Sequence, residues 1–303
     1  MSSRGSRHSD ARVLQPIERR AHGILAFGTI RSFARRKPLG AASAVVILIL
    51  ILAAAFAPQI APYDPTDPFY LDALKPPSTR YFLGTDMIGR DVFSRLIYGA
   101  RISVVVGLGA VSMGVGLGLV WGTLSGYFGG KVDLVIQRFM DAIQAIPGLL
   151  IAMVLVATLG GSVINMIFAI GFTMQARANR VVRGSVLSVK QNSYIEAASA
   201  IGASHLRIML RHMLPNIFAP LAIIISVDLG AAILTEASLS FLGVGVAPPT
   251  PTWGGMLSSE GRAYFEPAPW MAVFPGLAIS VIVLAFNLLG DSLRDTMDPR
   301  LRT

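Results

Sequence analysis

Two acidic residues stand in or beside apolar surroundings in this sequence: Asp228, within the run from about Ile217 to Leu234, and Glu236, just beyond it. An ionisable group inside a membrane span costs about 2.5 to 3.5 kcal/mol on insertion scales, so Asp228 should face a water-filled path or pair with another helix. Pairing within the chain is the expected arrangement; a pore-lining carboxylate is the alternative. Glu236, at the outer end of the same run, is expected to be solvated, the alternative being contact with a protein outside the membrane. A third cluster, Glu196-Ala197-Ala198 followed by Ile201-Gly202-Ala203, combines one acid with small side chains that allow another protein to approach closely.

None of these is a reaction centre. The chain has no cysteine, which excludes disulfides, thiol nucleophiles and Cys-based metal sites. No Ser/His/Asp set stands out: His8 and His22 lie near the N-terminus, and His205 and His212 lie in a polar loop. Gly129-Gly130-Lys131 lacks the spacing and the hydroxyl residue of a phosphate-cradling loop. No catalytic, metal-ligating or cofactor-binding residue is therefore expected.

The elements that position these residues are membrane helices. Of 303 residues, 53% are hydrophobic and only 14% charged, and the mean hydropathy is +0.61, whereas soluble domains carry about 25% charged residues. A bilayer core of about 30 Å needs about 20 mostly apolar residues per helix. Six runs meet that description: Leu39 to Ala57, Ile102 to Gly126, Ala142 to Leu159, the short Ser162 to Gln175, Ile217 to Leu234 and Trp270 to Gly290. Gly160-Gly161 predicts a tight hairpin between the third and fourth. The reading is an all-α polytopic membrane protein with six transmembrane helices.

Cations set the orientation. Arg4, Arg7, Arg12, Arg19, Arg20, Arg31, Arg35, Arg36 and Lys37 precede the first run, and Arg177, Arg180, Arg183, Lys190, Arg207 and Arg211 fall between the fourth and fifth. Both segments are expected in the cytoplasm, giving an N-in/C-in topology, while Glu236, Glu260, Glu266 and the single Arg262 fall on the outer side. The same topology role accounts for the sequence pI near 10.3, so nucleic acid is not an expected partner. The layout is a basic tail at 1–38, a first span at 39–57, and an outer loop with an amphipathic helix at 58–98. A five-span core at 99–290 with a cytoplasmic loop at 176–215 follows, then a tail at 291–303. About 37 polar and basic residues precede the first run, which is read as a retained helix and not a cleaved signal. The amphipathic stretch holding Val92, Phe93, Leu96 and Ile97 reads as a membrane-interface cap.

The loop at 176–215 has its own grammar. Ser193-Tyr194-Ile195-Glu196 matches a capping box, and Ala197, Ala198 and Ala200 favour a helix of about two turns that Gly202 closes in the left-handed conformation. Ser204 can cap a second helix with Leu206, Met209, Leu210 and Met213 as an apolar stripe and Arg207 and Arg211 opposite, and Pro215 marks the start of the fifth span. By local physics the pair is either a docking element for another protein or an ordinary interfacial hairpin.

The order Glu196-Ala197-Ala198, Gly202 and Leu214-Pro215 resembles the "EAA" signature of membrane subunits of binding-protein-dependent ABC importers. Leu83-Gly84-Thr85-Asp86-Met87-Ile88-Gly89-Arg90-Asp91, Gly126-Tyr127-Phe128-Gly129-Gly130, Leu239-Ser240-Phe241-Leu242-Gly243 and Pro248-Pro249-Thr250-Pro251-Thr252-Trp253-Gly254 resemble the dipeptide and oligopeptide permease "C" subunits. The resemblance runs from the first helix to Asp298-Pro299. It implies a type I ABC importer permease fold in the bacterial cytoplasmic (inner) membrane and import of short peptides or similar small solutes. It also implies a second homologous permease subunit, two ATP-binding subunits that hold ATP and Mg, and an extracytoplasmic substrate-binding protein. Glu196, Ala197, Ala198, Ile201, Gly202 and Ala203 would then couple the chain to an ATPase subunit, Glu196 by capping and docking. The rival reading is an ATP-independent secondary transporter or channel, for which inverted repeats and several buried charges would be expected. A membrane-embedded enzyme would need convergent reactive groups that the apolar runs lack.

Overall fold

The computed structural model describes residues 35, 37–258, 261 and 263–297, and these are helical throughout their regular structure. The basic tail residues Arg4 to Arg31 and Arg36, together with Glu260, Arg262 and Asp298-Pro299, lie outside the described residues. The principal helices are α1 (Pro38–Ala55), α2 (Val92–Phe128), α3 (Gly130–Gln144), α4 (Gly148–Leu159), α5 (Val163–Lys190), α6 (Ser193–Ala200), α7 (Phe218–Phe241) and α8 (Trp270–Met297). Among the described residues four helical stretches are long and apolar enough to cross a membrane: α1, α2, the continuous stretch His205–Phe241 that ends in α7, and α8. A bent pair, α3 with α4, makes a fifth.

Four expectations need correction. The second run is the inner part of a 37-residue helix, because the amphipathic turn at Val92 continues into it without a break; Asp91 caps the start by accepting from the Ser94 amide. The third run is not one straight span: α3 and α4 meet at 82°. Pro147 stands before α4, and proline lacks the amide and the space to continue a helix. The fourth run does not end at Gln175; α5 continues to Lys190, through more than a third of the segment read as loop. Its arginines each pair with an acid of another helix: Arg177 with Asp228, Arg180 with Asp141, and Arg183 with Asp133 through two contacts of 2.6 and 2.5 Å. The fifth run carries its helix on to Phe241, so Glu236 is inside it.

The core is built on close approach of α2 and α5. Gly114, Gly118, Gly122 and Gly126 recur every four residues on one face of α2, and α5 fills the space where their side chains would be. A Cβ on Gly118 would lie 2.4 Å from the Ala178 Cβ and 2.8 Å from the Asn179 amide nitrogen. In lipid, where water exclusion between helices gives no drive, such small-residue contacts are what allow dispersion and interhelical polar contacts to hold helices together. Val106, Ala110, Met166, Ala169 and Ile170 extend the same seam, which α7 joins through Ile224, Ala232 and Leu239. α1 and α8 pack on the other flank around Ile47, Ile233, Ile282 and Phe286.

Residues 58–91 form an irregular cap on the head of α2. Its centre is polar yet buried: the Arg90 Nε donates to Asp86 at 2.6 Å, and the Arg95 guanidinium, 3.6 Å from Asp86, also donates to the Pro65 carbonyl. The Trp270 indole donates to the Thr85 carbonyl at 3.0 Å, which ties this cap to the start of α8.

Candidate functional site

α6 and the turn after it stand at the end of α5. Only two residues, Gln191 and Asn192, separate the helices. Ile195 and Ala198 are the buried face of α6, set against Val182 and Val186 of α5 and Ile208, Met213 and Ile217 beyond the turn. Gly202 has φ +80°, a conformation that costs other residues about 1 kcal/mol or more. The Ala203 amide donates to the Ala198 carbonyl and the Gly202 amide to the Ser199 carbonyl, both at 3.0 Å, so the helix closes in a Schellman arrangement. Ser204 then starts the following helix by accepting from the Arg207 amide.

Within that frame the predicted residues divide sharply. Glu196, Ala197 and Gly202 are exposed, Ala203 is half-buried, and Ala198 is buried against the chain itself. Ile201 is 86% exposed, and no heavy atom lies within 4 Å of where a Gly202 side chain would begin. Leu206 and Leu210 are also exposed, which corrects the predicted stripe. Residues Ile208–Met213 widen into a π-helix, so the inward positions are Ile208, Met213 and Ile217, spaced by five and then four. The capping box is corrected too: Asn192 precedes the helix and no side-chain bond caps it, so the exposed Glu196 has no role there. The result is a rigid knuckle with its own core and an outer surface of Ile201, Leu206, Leu210 and small residues.

A clamp that sequence reasoning missed braces the knuckle. α3 is amphipathic, and its Asp133 and Gln137 meet Ser125 of α2 and Asn179 and Arg183 of α5. The Tyr127 hydroxyl and His205 Nδ1 are 2.7 Å apart, and the Lys190 ammonium donates to the Tyr127 carbonyl. Polar residues three and four apart in Lys131–Gln144 were the available signal.

The two intramembrane acids have separate fates. Asp228 is 1% exposed and pairs with Arg177 at 3.0 Å, as pairing within the chain required. Glu236 is fully buried, accepting from Ser103 of α2 at 3.1 Å and from Ser240 at 2.9 Å. It therefore neither meets water nor reaches an external protein; it bridges two helices. Near Ser240 a cavity of about 600 Å³ opens between the ends of α4 and α7 and the 243–252 loop, lined also by Arg90, Arg95 and Thr252.

Residues 114–303, which include the whole knuckle, match the family described as binding-protein-dependent transport system inner membrane component. The chain belongs to that family. Residues 30–77 of this inner membrane component match the N-terminal TM domain of oligopeptide transport permease C. The glutathione transport system permease protein GsiD of Escherichia coli O6:K15:H31 (strain 536 / UPEC) is 46% identical over 270 residues, 88% of each chain. The protein of the same name from Shigella boydii serotype 4 (strain Sb227) matches equally. Among solved structures, the crystal structure of an amino acid ABC transporter with histidines superposes with a TM-score of 0.50 at 17% identity, covering 68% of this chain and 95% of that one. That likeness bears on the fold alone. Family membership and the apolar helices make the chain a multi-pass protein of the inner membrane and an ABC importer permease.

Proposed function

We propose that this permease subunit imports short peptides of about tripeptide size, driven by ATP that partner subunits hydrolyse. The observation that carries the reading is the knuckle: a helix end locked by its own hydrogen bonds, packed on α5, and presenting an 86% exposed isoleucine at its tip. The backbone that presents this side chain is already ordered, so docking costs little further backbone entropy. In this reading Glu196, Ala197, Ile201 and Gly202 seat in a cleft of an ATPase subunit, while Ala198 and Ala203 hold the knuckle to α5. α5 then carries the displacement, since one continuous helix joins the knuckle to the α2 seam.

Six spans with both termini in the cytoplasm follow when α3 and α4 count as one broken span and α5 as another. The cations of the tail and of the α5 end support that sidedness. The assembly would comprise a second homologous permease subunit, two ATPases that bind ATP and Mg, and an external binding protein that delivers solute. The glutathione permease relatives favour a peptide substrate.

The test is reconstitution of the wild-type chain with the products of its neighbouring genes in proteoliposomes, with uptake of glutathione and trialanine measured with and without ATP. Ile201→Asp and Gly202→Trp should abolish uptake and copurification of the ATPases while the second permease subunit is retained. Uptake by the wild-type chain that persists without ATPase subunits would refute the proposal in favour of a secondary transporter.

A further inference from the structure

Arg177 occupies a place that lipid cannot accept. Its partner Asp228 lies ten residues after Phe218 and thirteen before Phe241, about 15 and 20 Å from the ends of α7 and well inside a stretch apolar enough to cross a bilayer core of about 30 Å. Asp228 is buried, but the Arg177 side chain that pairs with it is 59% exposed on the surface of the subunit. The bond runs from Nη1 to Asp228 Oδ1, which leaves much of a five-donor fork uncommitted to it. A guanidinium exposed at that depth has to meet water or another polar group, because hydrocarbon would cost several kcal/mol.

A second feature points to water. Arg177, Val181, Gly184 and Ser188 form one exposed stripe along α5. Starting one turn past Arg177, this stripe borders a groove of about 500 Å³ lined by Arg180, Gly184, Ser188 and Asn216 and leading toward the knuckle. Its lining mixes these polar groups with Val181, Val189 and Pro220, so polar side chains reach a face that a purely lipid-facing helix would fill with aliphatic ones. Asp228 Oδ2 has no hydrogen-bond partner among the described residues, so the carboxylate is committed to Arg177 alone.

We infer that Arg177 faces the translocation path and takes the carboxylate of the passing substrate, with Asp228 as the positioning residue that holds the guanidinium within the membrane. The polarity is the reverse of a carboxylate that receives an amino group: the acid is buried and the base is presented. A fork-shaped cation suits a carboxylate, since two N–H groups can meet its two oxygens, and the buried Asp228 prevents the site from becoming so cationic that the substrate is trapped. The inference rests on the importer reading and adds the substrate's charge to it.

The chain has no cysteine, so an introduced one is its sole thiol. In the assembled complex in nanodiscs, Val181→Cys and the pair Arg177→Cys with Asp228→Asn, which leaves no charge unpaired, should react with 2-sulfonatoethyl methanethiosulfonate. Leu48→Cys, halfway along α1, should not. In proteoliposomes Arg177→Gln should raise KM for glutathione about tenfold or more, the loss of a hydrogen bond to a charged group, and leave KM for its diamide nearly unchanged. Arg177→Lys should fall between them. Unreactive thiols at 177 and 181, or equal effects of Arg177→Gln on acid and diamide, would overturn the inference and assign Arg177 to a subunit interface. If the wild-type complex takes up neither compound with ATP, the importer reading fails instead, and the labelling pattern alone decides where Arg177 faces.

Discussion

Replacing Gly118 by alanine should loosen the seam that carries α5, whereas the same change two residues earlier should not. At Gly118 the added carbon would sit 2.4 Å from the Ala178 Cβ, 2.8 Å from the Asn179 nitrogen and 2.9 Å from the Gln175 oxygen. Two of the three are backbone atoms, so relief requires α2 and α5 to part and not a side chain to rotate. Overpacking of this kind costs about 1 to 3 kcal/mol, against which alanine returns up to about 1 kcal/mol in helix propensity. Gly116 has no atom within 4 Å of its would-be Cβ, so Gly116→Ala takes the propensity gain without the clash. The two variants should differ by about 1 to 3 kcal/mol in opposite directions from wild type. Thermal unfolding of the purified complex in one detergent, followed by tryptophan fluorescence, compares them directly. Equal midpoints for Gly116→Ala and Gly118→Ala would refute the close α2–α5 contact, and with it the idea that α5 moves with α2 as one body.

Other expectations concern separate parts of the chain. Gly202→Val should cost about 1 to 3 kcal/mol at the knuckle through its left-handed backbone, and coupled ATPase activity should fall further than the yield of assembled complex. Glu236→Ala strands the Ser103 and Ser240 hydroxyls in a buried bridge and should lower stability by about 1 to 3 kcal/mol, while Glu236→Gln, which keeps an acceptor, should lose less; unfolding midpoints give the order. Asp133→Ala removes the Arg183 clamp and should speed hydrogen exchange in α3 before α4, read by mass spectrometry. In the outer cap the hydrogen bond from Tyr81, aided by Arg80 and Lys75, holds the Asp72 carboxyl below the usual carboxylate range. A depressed folded value stabilises above the unfolded value of about 4, and that contribution is lost as pH falls through the folded one. Proteolysis of residues 58–91 should therefore rise on acidification below about pH 4, and less so in Asp72→Asn.

The solvent of this chain, its helical class and the place of the knuckle are legible in the amino-acid order, because each follows from local physics. Apolar runs of about 20 residues can satisfy their backbone only as helices in lipid, and Gly202 followed by Ser204 ends one helix and starts the next whatever surrounds them. Hydropathy fails where a helix is apolar on one side only: α3 and the second half of α5 are helices because of what lies across from them. Arg177, Arg180 and Arg183 read as loop cations in the sequence, yet each has an acid from a distant segment to meet. The π-turn at Ile208–Met213 shifts the buried face by one residue, a change that no periodicity of 3.6 anticipates. Glu236 reads as solvated because it follows the apolar run, yet it is buried and accepts from two serines, one of them 133 residues away. Local sequence determines which segments become helices and where they cap; which charges face one another, and so which of Arg177 and Asp228 is presented, is decided only when the helices pack.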